Sequence, residues 1–199
     1  MEVELLVDAK AITGEGPVWD ERDDGLYWVD IMRGHLHRYD PVSGSNTVTE
    51  VGKHTGAAIP RRSGGFVLAV TDGFDVLDGD GNISHWLAVE ADNAGTRMND
   101  AKCDSSGRMF AGTMPYEFDE GGGALFRLDE DGSVREVVAN ITVSNGTDWN
   151  LADDTMYYVD SMTHRIDVLD YESASGEISN RRPLVEVPEE LGSPDGLTV

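Results

Sequence analysis

The chain has 199 residues, 39% hydrophobic and 27% charged, with 38 acids against 15 bases for a net charge of −23. That length supports one domain with a sizeable core, and no apolar run approaches the ~20 residues that a membrane span needs. A field this negative repels nucleic acid and anionic membrane, which removes both as partners. The acids are spread along the whole chain rather than gathered in a tail, and the lysines are only Lys10, Lys53 and Lys102. Such a solvated, Lys-poor surface is the kind found in salt-loving cytoplasms. It implies stability that rises with salt as the self-repulsion is screened. The acidic start, Met1-Glu-Val-Glu, lacks the basic and apolar stretches of a signal peptide, so the expected location is the cytoplasm. Cys103 is the single cysteine, which excludes a disulfide framework and a cysteine-based zinc finger.

After an expected strand from Glu2 to Val7, one pattern recurs along the chain. A β-branched or aromatic run stands at 26–30, 66–70, 109–113 and 156–160. A second run ending in aspartate follows each, at 36–40, 75–78, 124–129 and 166–170. Glycine-containing turns come next, at Gly44, Gly79 with Gly81, Gly132 and Gly176, as tight hairpins require. Third strands are expected at 47–51, 83–87, 134–138 and 178–185. The closing aspartates 40, 78, 129 and 170 are 38, 51 and 41 residues apart, the long interval holding an acid- and glycine-rich insertion at 116–123. A period of ~40–45 residues with four strands per unit is the mark of a β-propeller blade, the alternative being an irregular β-sandwich. The expected fold is therefore an all-β propeller, one domain over residues 1–199. Its units fall at about 15–52, 53–90, 96–140 and 143–188, and the first strand of a fifth occupies 192–199. On this expectation the chain is part of a longer propeller.

The start of each innermost strand lies near a propeller axis, so polar residues there converge. Glu15, Asn99, Asn145 and Asp195 are separated by 84, 46 and 50 residues, two blade periods and then one each, which puts all four at the same phase. The second unit offers only His54-Thr-Gly-Ala-Ala58 at that place. Two carboxylates and two amide oxygens make a hard, all-oxygen set suited to Ca²⁺, Mg²⁺ or Mn²⁺, with Zn²⁺ as a further option. Any one of these residues alone would read as a turn former; their shared phase is the informative feature.

Gly14-Glu-Gly-Pro17, Arg97-Met-Asn-Asp100, Phe110-Ala-Gly-Thr-Met114, Ser144-Asn-Gly-Thr-Asp-Trp149 and Pro194-Asp-Gly196 together resemble the gluconolactonase, regucalcin (senescence marker protein) and luciferin-regenerating enzyme family. The resemblance runs from about residue 10 to the last residue. It implies a six-bladed propeller with one divalent metal, Ca²⁺ foremost, at the top of the axial channel. It also implies hydrolysis of sugar lactones to aldonic acids. Carried over by position, Glu15, Asn99, Asn145 and Asp195 match the metal ligands, Asp195 also the general base, and Arg97 a substrate-contacting arginine. Glu117 falls where some members use a loop acid against the sugar, in a loop whose sequence differs here. The family needs two more units than about four and a fraction.

The implied chemistry is Lewis-acid polarisation of the lactone carbonyl, with Asp195, or a water it deprotonates, supplying the nucleophile. Other readings are hydrolysis of other esters or organophosphates, a non-catalytic calcium-binding propeller, and an inactive fragment. No Gly-x-Ser-x-Gly elbow, phosphate loop or dinucleotide fingerprint is present. Asp78-Gly-Asp-Gly-Asn82 reads as a hairpin turn rather than an EF-hand, because its acids are not at the required offsets. His35 and His37 are expected on a solvated face. Cys103 is expected as a small buried residue, and the four tryptophans (Trp19, Trp28, Trp86, Trp149) between blades, Trp19 and Trp149 with the channel as a second place.

Overall fold

A computed structural model describes residues 3–199. It contains four four-stranded antiparallel sheets, each an up-and-down meander in chain order. The first holds β1 (Gly14–Asp20), β2 (Gly25–Asp30), β3 (His35–Asp40) and β4 (Ser45–Glu50). The second holds β5 (Thr55–Pro60), β6 (Phe66–Val70), β7 (Gly73–Leu77) and β8 (Ile83–Ala88). The third holds β9 (Thr96–Cys103), β10 (Met109–Pro115), β11 (Gly123–Leu128) and β12 (Val134–Ile141). The fourth holds β13 (Ser144–Trp149), β14 (Thr155–Asp160), β15 (Arg165–Glu172) and β16 (Glu177–Glu186). The first strands stand side by side, β1 against β5, β5 against β9 and β9 against β13, so the sheets fan around a shared inner edge as propeller blades do. Among the described residues β13 does not pack back onto β1, so the arc is not closed.

Period-two alternation decides the packing. Phe66, Leu68 and Val70 of β6 face the first sheet and pack on Val29, Ile31 and Leu36, while Ala69 faces the third sheet. In β10, Met109 and Ala111 join the core shared with the second sheet, and Phe110 joins the core shared with the fourth. Strands buried on both faces read as continuous apolar runs, which is why 109–114 shows no polar alternation. A fully buried side chain such as Phe110 contributes about 1.5–3 kcal/mol. A buried polar staple joins the third and fourth sheets: Arg108 Nη2 donates to Tyr171 Oη at 3.0 Å, and Tyr171 Oη donates to Asp104 Oδ2 at 2.5 Å.

Several expectations need correction. Residues 3–7 form no strand, and Glu2 lies outside the described residues. Residues 192–199 are also irregular: strand geometry needs a ladder partner, and among the described residues this segment has none. It lies instead against β13, where Val199 N donates to Asp148 Oδ2 at 2.9 Å. Trp19 (48% exposed) and Trp86 (41%) are not inter-sheet core. Trp19 pairs opposite Leu26 on the face of the first sheet turned from the second, and Trp86 lies on the outermost strand β8. His37 is not solvated. It is buried, stacked on Trp28 with centroids 4.8 Å apart, and burial pushes its pKa down. The 78–82 segment is a hairpin turn, with Asp78 Oδ1 accepting from Asp80 N and Asn82 N.

Candidate active site and metal centre

Each inner strand breaks its ladder register near its start. The shift falls between Glu15 and Val18 in β1, Thr55 and Ala57 in β5, Met98 and Ala101 in β9, and Ser144 and Thr147 in β13. A bulge bends the strand and re-aims the side chains it releases from pairing. Here it frees Asn99, Asp100 and Asn145 from the ladder and leaves Glu15 at the break. The strands also approach closely, because a Cβ on Gly56 would lie 2.3 Å from Asn99 O and one on Gly146 2.6 Å from Asp195 O. Glycine at these two positions lets β5 approach β9 and lets the segment carrying Asp195 approach β13.

The result is a cavity of about 180 Å³ whose lining includes Glu15, Arg97, Asn99, Asn145 and Asp195. Glu15 and Asn99 are half-buried, Asn145 and Arg97 buried, and Asp195 exposed. Glu117 does not line the cavity; it is exposed in the turn after β10, next to Phe118, which does. Asp100, which ends the Arg97-Met-Asn-Asp100 motif but carries no expected role, also lines the cavity; its place next to Asn99 in that motif is the sequence signal for it. A wider passage of about 570 Å³ continues along the inner strands, bordered by Glu15, Ala57, Asp100 and Lys102.

Hydrogen bonds fix the amides. Asn99 Nδ2 donates to Ser144 O at 2.8 Å, and Asn145 Nδ2 donates to Ser161 Oγ at 3.0 Å. The amide oxygens are therefore the atoms left for other partners. Asn99 Oδ1 accepts from Arg97 Nη1 at 2.8 Å. Burial, and then the neighbouring Asp195 charge, holds the Glu15 carboxyl above the ordinary carboxylate range. Burial likewise raises Asp100, with Asp195 adding to it. Three acids thus crowd one arginine, itself pushed down by burial. That crowding and the hard oxygen donors fit a divalent cation. Asn99 is set apart from Glu15, Asn145 and Asp195, because its oxygen already faces a guanidinium.

Two further places among the described residues differ in chemistry. Asp72, Asp75 and His85 bring ligand atoms within 4.8 Å of one another. Lys53 Nζ, 2.8 Å from Asp72 Oδ1 and 3.2 Å from Asp75 Oδ2, already supplies the cation there. Cys103, half-buried beside a cleft of about 600 Å³, has its thiol pushed up to about 11 by burial and stays protonated at neutral pH.

With the geometry in place, comparison with known proteins identifies the lineage. Residues 13–199 match the family model described as SMP-30/Gluconolactonase/LRE-like region. The chain belongs to this family. It is 38% identical to pentonolactonase XacC of Haloferax volcanii, covering 100% of this chain and 67% of that protein. It is 36% identical to regucalcin of Xenopus laevis, covering 100% of this chain and 69% of that protein. Among solved structures, the calcium-binding protein regucalcin from Agrobacterium tumefaciens superposes with a TM-score of 0.91 at 25% identity, covering 96% of this chain and 65% of that one. The chain thus spans about two thirds of the length of these family members. Among the described residues, no helix is long and apolar enough to cross a membrane.

Proposed function

We propose that this chain carries the metal-dependent site of a sugar lactonase, which opens a small-molecule sugar lactone to its aldonic acid. The observation that carries the reading is the meeting of Glu15, Asn145 and Asp195 with Arg97 and Asn99 at one small cavity, in a chain 38% identical to a pentonolactonase. The reading sets the four sheets within the six-bladed ring implied by the family resemblance and the protein in the cytoplasm.

Glu15, Asn145 and Asp195 would hold the ion, Ca²⁺ foremost, with Zn²⁺, Mn²⁺ or Mg²⁺ as alternatives. When bound, a divalent cation supplies Lewis-acid polarisation of a carbonyl oxygen. Asp195, the exposed acid of the set, accepts a proton from water as the water oxygen bonds to the lactone carbonyl carbon. The proton returns to the ring oxygen as the ring C–O bond breaks, and the open acid departs. Arg97 orients the sugar: Nη1 is tied to Met98 O and Asn99 Oδ1, and its other N–H groups have no acceptor among the described residues. Glu117 contributes a contact to a hydroxyl that extends past Phe118.

Proton release from glucono-1,5-lactone and from a pentono-1,4-lactone, with added Ca²⁺ and then with chelator, tests the reading. Turnover that chelator abolishes and metal restores supports it. Metal binding without turnover on either lactone supports a second reading, a non-catalytic calcium-binding protein, which the calcium-binding description of the Agrobacterium regucalcin favours.

A further inference from the structure

Arg97 is held from two sides. On one side, Nη1 donates to Asn99 Oδ1 at 2.8 Å and to Met98 O at 3.0 Å. On the other, its guanidinium carbon lies 5.9 Å from the centroid of the Tyr116 ring, within cation–π range. Tyr116 is half-buried in the insertion after β10, and its backbone N–H donates to Gly95 O at 2.9 Å, which latches the insertion to the start of β9. Its hydroxyl meets His54 Nδ1 at 2.5 Å, and the two rings stand edge to face with centroids 5.6 Å apart. His54 directly precedes β5, and its carbonyl accepts from Thr71 Oγ1 at 3.4 Å. A chain of contacts therefore runs from the second sheet through His54 and Tyr116 to Arg97 in the third. Tyr116 and His54 do not line the inner cavity. They line a separate open cleft of about 530 Å³ with Lys53 and Asp72. Tyr116 meets the site through Arg97.

Building on the lactonase reading, we propose that Tyr116 is a positioning residue for Arg97 and that His54 braces it. The pair fixes the plane of the guanidinium against which the hydroxyls of a sugar lactone are read. The physical reason is rotamer freedom. A long arginine with only one nitrogen tied can swing its remaining donors through many orientations, and each binding event then costs the entropy of fixing them. An aromatic ring under the guanidinium, itself anchored by a hydrogen bond, removes most of that freedom before substrate arrives. The insertion at 116–123, which lengthens the third unit, thereby acquires a role.

The test uses the full chain with Ca²⁺ present and measures kcat and KM separately for glucono-1,5-lactone. Tyr116→Ala is expected to raise KM about tenfold, the loss expected of one desolvated cation–π contact, with kcat little changed. Tyr116→Phe keeps the ring and loses the brace, and His54→Ala removes the brace from the other end; both are expected to raise KM by about fivefold, the effect of one net hydrogen bond of about 1 kcal/mol. His54→Gln, which keeps a hydrogen-bonding partner, is expected to restore the parental KM. The second readout is the ¹⁵N spectrum of the arginine side chains, with Arg97 assigned by the signal lost in Arg97→Lys. The Arg97 Nε–H signal is expected to be sharp in the parent and broadened in Tyr116→Ala and His54→Ala. Unchanged KM and an unchanged Arg97 signal in Tyr116→Phe and His54→Ala would overturn the proposal, and neither change requires the protein to tolerate loss of the ring. A parent that turns over no lactone overturns the lactonase reading instead, while the Arg97 signal still decides the positioning claim.

Discussion

Asp30 and Asp160 occupy the same place in the first and fourth sheets. Each ends the second strand of its sheet and turns both carboxylate oxygens back onto two successive backbone N–H groups. Asp30 accepts from Ile12 N at 3.0 Å and Thr13 N at 3.2 Å; Asp160 accepts from Thr142 N at 3.1 Å and Val143 N at 2.9 Å. The residue after each aspartate donates back, Ile31 N to Thr13 O and Ser161 N to Val143 O. The segments so anchored lead into β1 and β13, which carry Glu15 and Asn145. Both aspartates are buried. Alanine at either place leaves two donors unsatisfied, so Asp30→Ala and Asp160→Ala are each expected to destabilise the fold by about 2–4 kcal/mol in urea titration, at about 1–2 kcal/mol per orphaned donor.

Asp30 also sets a pH dependence. Burial pushes its carboxyl up, but the N–H groups of Ile12 and Thr13 and the Arg33 guanidinium outweigh burial and hold it below the ordinary aspartate value. A group whose pKa is depressed on folding stabilises the fold fully above its unfolded value. That stabilisation is lost as pH falls through the folded value. Its contribution should therefore hold at neutral pH and decline below about pH 4, the ordinary aspartate pKa. Urea midpoints between neutral and acid pH should fall less steeply in Asp30→Asn than in the parent; parallel curves would remove Asp30 from the acid transition.

The proposed chemistry assigns separable roles to two acids. Asp195→Asn keeps an oxygen donor and loses the base, so lactone turnover should fall by about 10²–10⁴-fold while the protein still binds Ca²⁺. Glu15→Gln removes one of the two charges in the ligand set, and hard-cation affinity follows ligand charge. Calorimetric titration should show weaker Ca²⁺ binding in Glu15→Gln than in the parent, whereas Glu130→Gln, at an exposed acid away from the cavity, should bind as the parent does. Turnover at the parental rate in Asp195→Asn would falsify the base assignment.

How much of this was legible beforehand depends on the range of the interaction involved. Strand alternation and turn glycines are local, and they specified the β2, β6, β10 and β14 runs and their partners. Glu15, Asn99, Asn145 and Asp195 could be grouped because a repeat converts sequence phase into position; for Glu15, Asn99 and Asn145 the register break of the inner strand is the physical form of that phase, while Asp195 lies in a segment without a ladder. The Tyr116–His54 contact links residues 62 apart on different sheets, with no periodicity to mark it. His37 looked like a surface residue because alternation gives a face but not what covers it; Trp28 stacks on it. Residues 192–199 have the composition of an inner strand, but composition does not supply a neighbour to pair with.

The charge of −23 makes a prediction about solvent. Many of the acids face water: Asp40, Asp78, Asp131 and Asp154 satisfy only their own turns. The self-repulsion of such a surface is screened within about 3 Å at 1 M salt against about 10 Å at 0.1 M. The melting temperature should rise between those two concentrations of KCl. An unchanged value would show that the acids are too well separated for their repulsion to matter.

The close approach of the inner strands can be tested at Gly56, which is buried and whose missing side chain leaves room for the β9 backbone. A Cβ there would sit 2.3 Å from Asn99 O and 2.7 Å from Met98 O, both backbone atoms that cannot swing aside. Gly56→Ala must therefore push β5 and β9 apart, with an overpacking cost of about 1–3 kcal/mol or more. Gly79 provides the control. It lies in a turn with no atom within 4 Å of its Cβ position and without a left-handed backbone, so Gly79→Ala should be within about 0.5 kcal/mol of neutral. Because Asn99 and Arg97 ride on β9, displacement at Gly56 should reach the site as well. Gly56→Ala protein that remains folded should bind Ca²⁺ more weakly and lose lactone turnover, whereas Gly79→Ala should keep both. Loss of stability with an intact site would instead mean that the strain is relieved on the β5 side, away from Asn99.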